Sequence, residues 1–181
     1  MQRDRLAQLA HGHAVIACRP CVTGFGRGGY PCTVGRRGPR VPTHIPMKNK
    51  SVLEFSDVTR IAEAAKAEAL RNQWAVCIAI VDDGGHLLHL QRLDGAAATA
   101  SYIASAKANT AALGRRESKV YEDMVNGGRV AFLSAPALQG MLEGGVPIMV
   151  DGECIGAVGV SGVKSTEDAQ VAMAGIAALA L

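Results

Sequence analysis

Residues 47–181 predict an α+β domain of the broad α/β class, with a mainly antiparallel sheet flanked by helices. Two pairs of short apolar, partly β-branched segments are each joined by an Asp/Gly turn, the chemistry of a β-hairpin. Segments with helical apolar spacing precede, separate and follow these pairs. A doubly wound dinucleotide fold and a phosphate-loop enzyme are not expected, because neither a strand–GxGxxG–helix unit nor a G-x-x-x-x-G-K-[ST] loop occurs.

The first helix is expected from a Ser56 cap to about Asn72, with Val58, Ile61, Ala62, Ala65 and Ala69 on its apolar face. Arg60, Glu63, Lys66 and Glu68 would then face water. Trp74–Val81 reads as a buried strand, Asp82-Asp83-Gly84-Gly85 as the turn, and His86–Arg92 as the returning strand. An Ala-rich helix is predicted over 96–113, and a shorter helical or irregular stretch over 117–126. A brief strand or edge segment is expected at 130–133 and a helical turn or two at 137–142. The second hairpin runs Val146–Val150, Asp151-Gly152, then Cys154–Val160. Ser165 opens the last helix, with Asp168 expected to complete a capping box.

Charge divides the chain at residue 46. Residues 1–46 hold seven Arg and one acidic residue, Asp4, giving +6, whereas residues 47–181 hold 12 basic and 15 acidic residues, giving −3. A mildly acidic body does not supply the basic surface a phosphate-backbone binder needs, so no nucleic-acid partner is expected. The Gly/Arg/Pro-rich leader lacks the apolar surface to offset its ordering entropy. It reads as a disordered tail or as the product of an upstream start assignment. It makes a poor secretion signal, and no apolar run has transmembrane length, so a cytoplasmic protein without a membrane partner is expected. Cys18, Cys21 and Cys32 with His11, His13 and His44 permit a zinc reading, although a fourth ligand at the usual spacing is missing. Cys77 and Cys154 sit in apolar runs and read as buried thiols.

Arg92 stands where the second strand ends, and its planar fork of donors suits a carboxylate. Asp94 could touch a ligand or cap the following helix. Lys107, amid small residues, could reach water or enter a pocket. His86 follows the turn and could reach a pocket rim, which makes it the candidate metal or haem-iron ligand. Gly144, Gly145 and Pro147, then Gly159, Ser161 and Gly162, mark either close backbone packing or an approaching ligand. The Gly159–Gly162 run could present successive N–H groups to an anion. A serine hydrolase is disfavoured, because Ser161 lacks G-x-S-x-G and no histidine follows it.

The ordered segments VDDGGHLLHLQRLDGA, SAKANTA, GGVPIMVDGECIGAVGVSG and STEDAQVAMAG resemble the GlcG/HbpS-like family over about residues 52–181. They are also similar to the carboxy-terminal domain of PduO-type cobalamin adenosyltransferases. The resemblance implies a profilin-like fold, homo-oligomers, and a haem, tetrapyrrole or small-acid pocket. Carried over, that pocket involves Arg92, Asp94, Gly95, Lys107, Gly144, Gly145, Pro147, Gly159 and Gly162. Leu93 stands where the family often has Met. The leading expectation is haem or tetrapyrrole binding with haem degradation as an attendant activity. Arg92 and Lys107 would hold propionates, and His86 would approach iron. The alternatives are an isomerase- or tautomerase-like enzyme of organic-acid catabolism, with Asp94 or Lys107 moving a proton, and a non-catalytic assembly or regulatory domain.

Overall fold

Both expected hairpins form, and they join into one sheet in the computed structural model, which describes residues 48–179. The leader, with its cysteines and its zinc reading, lies outside the described residues. The strands are β1 (Cys77–Asp82), β2 (Leu87–Arg92), β3 (Gly145–Val150) and β4 (Glu153–Ser161). They run in the order β2-β1-β4-β3, and every neighbouring pair is antiparallel. The helices are α1 (Phe55–Arg71), α2 (Thr99–Gly114), α3 (Ser118–Asn126) and α4 (Ser165–Ala177).

Period-two alternation along β1 divides the core into two layers. Ile78 and Ile80, with Ile148, Val158 and Val160, pack against α1 and α4. Cys77, Ala79 and Val81, with Ala157, face the alanines of α2. Each fully buried Ile or Val contributes about 1.5–3 kcal/mol relative to exposure. The α2 layer relies on small residues, and therefore on close backbone approach. A Cβ on Gly159 would collide with the α2 backbone at Ala104 O and Ala108 N, and one on Gly145 would collide with Lys107 O.

Several local expectations are corrected. Glu54, not Ser56, precedes α1, where its N–H donates to Asp57 Oδ2 at 3.0 Å. Glu68 is buried rather than solvent-facing, because Gln170 of α4 donates to its Oε1 at 2.7 Å and Arg71 pairs with it. Trp74–Val76 lie outside β1, since Gln73 takes a left-handed φ of 59° and Trp74 N–H closes back on Ala69 O. Residues 130–134 form a 3₁₀ turn and 137–142 an irregular loop, so neither the strand nor the helical turn forms. The box at α4 is offset by one residue: Lys164 N–H donates to Glu167 Oε2, which frees Asp168 for the interior. Among the described residues no helix is long and apolar enough to cross a membrane.

Candidate functional site

The sequence-predicted site residues fall into four places. The first is a groove between β2 and α2. Register sets Arg92 opposite Cys77 and Leu90 opposite Ala79, so both side chains stand on the α2 side of the sheet. Leu90, Arg92, Ala98, Ser101, Tyr102 and Ser105 line a groove of about 490 Å³. Leu90 and Tyr102 are exposed apolar walls there, and Arg92 has no carboxylate within ion-pair distance among the described residues. Beneath the groove, the Cys77 thiol donates to Ser101 Oγ at 3.7 Å, and burial pushes that thiol up, away from nucleophilic thiolate character. At Ser105 the groove meets a second one of about 460 Å³, bounded by Asn109, Leu113 and the loop 136–139.

Asp94 occupies a different recess, of about 320 Å³, with Lys66, Leu70, Gln73, Trp74 and Leu93. The Gly95 turn, at φ 85°, carries the chain away before α2 starts at Thr99. The capping reading for Asp94 is therefore overturned: the residue preceding α2 is Ala98.

Lys107 neither reaches water nor lines a groove. It is 3 % exposed, donates to Asp168 Oδ2 at 2.8 Å and to Val160 O at 3.0 Å, and so ties α2 to α4 past the end of the sheet. Asp168 Oδ1 also accepts from Val163 N–H. Burial pushes the Asp168 carboxyl up, and the Lys107 ammonium offsets only part of that push. Gly144 closes this cell: at φ 122°, a Cβ on it would stand 2.8 Å from Lys107 Nζ. Gly145 N–H donates to Ser118 Oγ, and Pro147 sits in edge strand β3 opposite Ala157. Gly159 and Ser161 are extended residues of β4, and Val160 N–H is bonded to Gly144 O. The anion-nest reading of this run is thus corrected to a hydrogen-bonded strand. Gly162 follows it, close against Ala75 and Val76. Asp168 carries a signal of its own besides the capping-box pattern at Ser165. Its spacing to the buried Val171, Ala172 and Gly175 is the signal that places it on the core face.

His86 stands at the tip of the first hairpin, exposed, with Nδ1 3.0 Å from Asp82 Oδ2. Burial acts to raise the Asp82 carboxyl, but the His86 backbone N–H, the His86 ring and the Gly84 N–H outweigh it and hold Asp82 below the usual range. An imidazole gripped at Nδ1 by a carboxylate leaves Nε2 available as a donor atom, the usual arrangement behind a metal-bound histidine. Arg92 and His86 lie at opposite ends of β2, and Asp94 and Lys107 share neither location.

A family model described as "Haem degrading protein HbpS-like" matches residues 53–177. Protein GlcG of Escherichia coli K12 is 57% identical over 115 residues, which cover 64% of this chain and 85% of that protein. A crystal structure of a PduOC:heme complex matches with TM-score 0.65 at 30% identity, covering 71% of this chain and 95% of the other. A double mutant of Streptomyces reticuli HbpS matches with TM-score 0.65 at 26% identity, covering 77% and 97% respectively.

Proposed function

This chain belongs to the HbpS-like family, and from that membership we propose that it binds haem in the groove between β2 and α2, with Arg92 holding a propionate carboxylate. The observation that carries the reading is an uncommitted guanidinium at the end of an apolar groove. The groove fits the group in three respects. Leu90, Ala98 and Tyr102 offer apolar contact to a macrocycle, Ser101 and Ser105 offer hydroxyls, and the volume lies in the range of small-molecule sites. A planar guanidinium suits a carboxylate better than an ammonium does, and Lys107, sealed with Asp168, stays outside this groove.

His86, at the far end of β2 from Arg92, is no part of this groove, so Arg92 and the groove walls are what hold the ring in this reading. The bound iron supplies the redox chemistry through which haem would be degraded. The chain's own part is to orient the ring and pair its carboxylate.

Haem titration of the purified chain tests this. A saturable Soret shift is expected, weakened about 10-fold or more by Arg92→Ala, as befits the loss of a charge-assisted hydrogen bond. Arg92→Lys should recover part of the affinity. An unsaturable change, or equal affinity in Arg92→Ala, contradicts the reading.

A further inference from the structure

We propose that the recess beside Asp94 is a second binding site, separate from the haem groove, for a small amino-acid zwitterion. Asp94 and Trp74 take its ammonium, and Lys66 and Gln73 take its carboxylate. The proposal does not rest on the haem reading.

The recess lies on the other side of the sheet from the Arg92 groove. Leu93 follows β2 directly, and its N–H donates to Val76 O at 2.9 Å, so the strand alternation carries one step further. Arg92 therefore stands on the α2 side, while Leu93 packs into the layer of α1 and α4. Lys66, Leu70 and Gln73 come from α1 and the turn that ends it, at the i, i+4 and i+7 spacing of one helix face. With Trp74, Leu93 and Asp94 they border about 320 Å³, the lower end of the range for small-molecule sites.

Two opposite charges line this small space without meeting. Lys66 Nζ pairs with Glu63 Oε2 at 3.1 Å, and none of the ion pairs among the described residues includes Asp94. The Lys66–Glu63 contact is an i,i+3 pair on a side chain that is 63% exposed, a kind that contributes little, so Lys66 can exchange it. A lone anion in the recess meets Asp94, and a lone cation meets Lys66. A molecule that carries both charges satisfies both walls, which selects it over either. Leu70, 58% exposed, and the half-buried Trp74 and Leu93 offer apolar contact to its body. The indole also attracts an ammonium.

Gln73 adds to this. It takes a left-handed φ of 59° just past the α1 cap, where glycine or asparagine is the usual residue. The Trp74 N–H closes the helix end there on Ala69 O, a turn that glycine would make with less strain. An amide side chain at a position that favours glycine, on the border of the recess, is accounted for by its donating to the ligand's carboxylate.

Trp74 is the chain's one tryptophan, so its emission reports on the recess. The full chain is titrated with L-leucine and with ε-aminocaproate, zwitterions that differ in charge separation. Caproate and hexylamine, which carry one charge each, are the comparison, and emission and calorimetry are read in parallel. At least one zwitterion should give a saturable change and bind about 10-fold or more tightly than either singly charged compound. Lys66→Met and Asp94→Asn should each weaken it about 10-fold while keeping native circular-dichroism spectra, as befits the loss of a charge-assisted hydrogen bond. Gln73→Gly should raise the urea midpoint and weaken binding together. The absence of any saturable change in emission or heat with both zwitterions overturns the proposal. So does caproate or hexylamine bound as tightly as the zwitterions, or wild-type affinity in Asp94→Asn. A Gln73→Gly chain that binds as tightly as wild type overturns the part assigned to Gln73.

Discussion

Replacing Asp168 by asparagine removes the anion from Lys107 Nζ and leaves an ammonium that is 3 % exposed, with Val160 O as its remaining full partner. Removing one member of a buried pair costs about 3–5 kcal/mol, because the surviving charge stays desolvated. Against a typical domain stability of 5–15 kcal/mol, that is a large fraction. It should lower the thermal midpoint by roughly 10 °C. Lys107→Met should cost less than Asp168→Asn, since the Asp168 carboxyl that it leaves unpaired is already pushed up by burial and can take a proton. The double variant Lys107→Met, Asp168→Leu should be more stable than Asp168→Asn alone, because the desolvation cost disappears with both charges. Urea unfolding followed by tryptophan fluorescence reads all three, Trp74 being the chain's one tryptophan. If Asp168→Asn unfolds within about 0.5 kcal/mol of wild type, the ion pair does not hold α2 to α4 and the reasoning fails.

Gly159→Ala should cost at least 1–3 kcal/mol by urea midpoint, since its Cβ meets α2 backbone rather than a movable side chain; an unchanged midpoint would show that α2 can retreat freely. Asp82 is held below its ordinary value, so its share of stability is present above that value and is lost as pH falls through the lowered one. The gap between wild type and Asp82→Asn should therefore narrow as pH falls below ~4, and a constant gap down to strongly acid pH contradicts the His86–Asp82 contact. Asp168 has the opposite sign: burial raises it, so its protonation favours the folded state as pH falls, and Asp168→Asn, which cannot take up that proton, should cost more at acid pH than at neutral pH.

The hairpins and α1 were legible because their signals are local. Asp/Gly turns fix the strand ends, and Val58, Ile61, Ala62, Ala65 and Ala69 are the buried face of α1 as their spacing predicts. The site was less legible because its parts depend on register and helix placement. Arg92 and Asp94, two apart in sequence, enter different recesses because β2 ends between them and the chain turns at Gly95. Lys107 among alanines permitted two fates in sequence; only the approach of α4 supplies the carboxylate that decides between them. The glycines pointed to a close approach, but sequence does not say whether ligand or helix approaches. For Gly145 and Gly159 it is the backbone of α2.

The most direct test of the haem reading is a map of where haem sits. In an NMR titration of the labelled chain, paramagnetic haem should broaden the amide signals of Leu90, Ala98, Ser101, Tyr102 and Ser105. Those of Leu70, Gln73 and Trp74, around the Asp94 recess, should be affected far less. Broadening centred on that recess, or spread evenly over the surface, would contradict the placement of the site between β2 and α2.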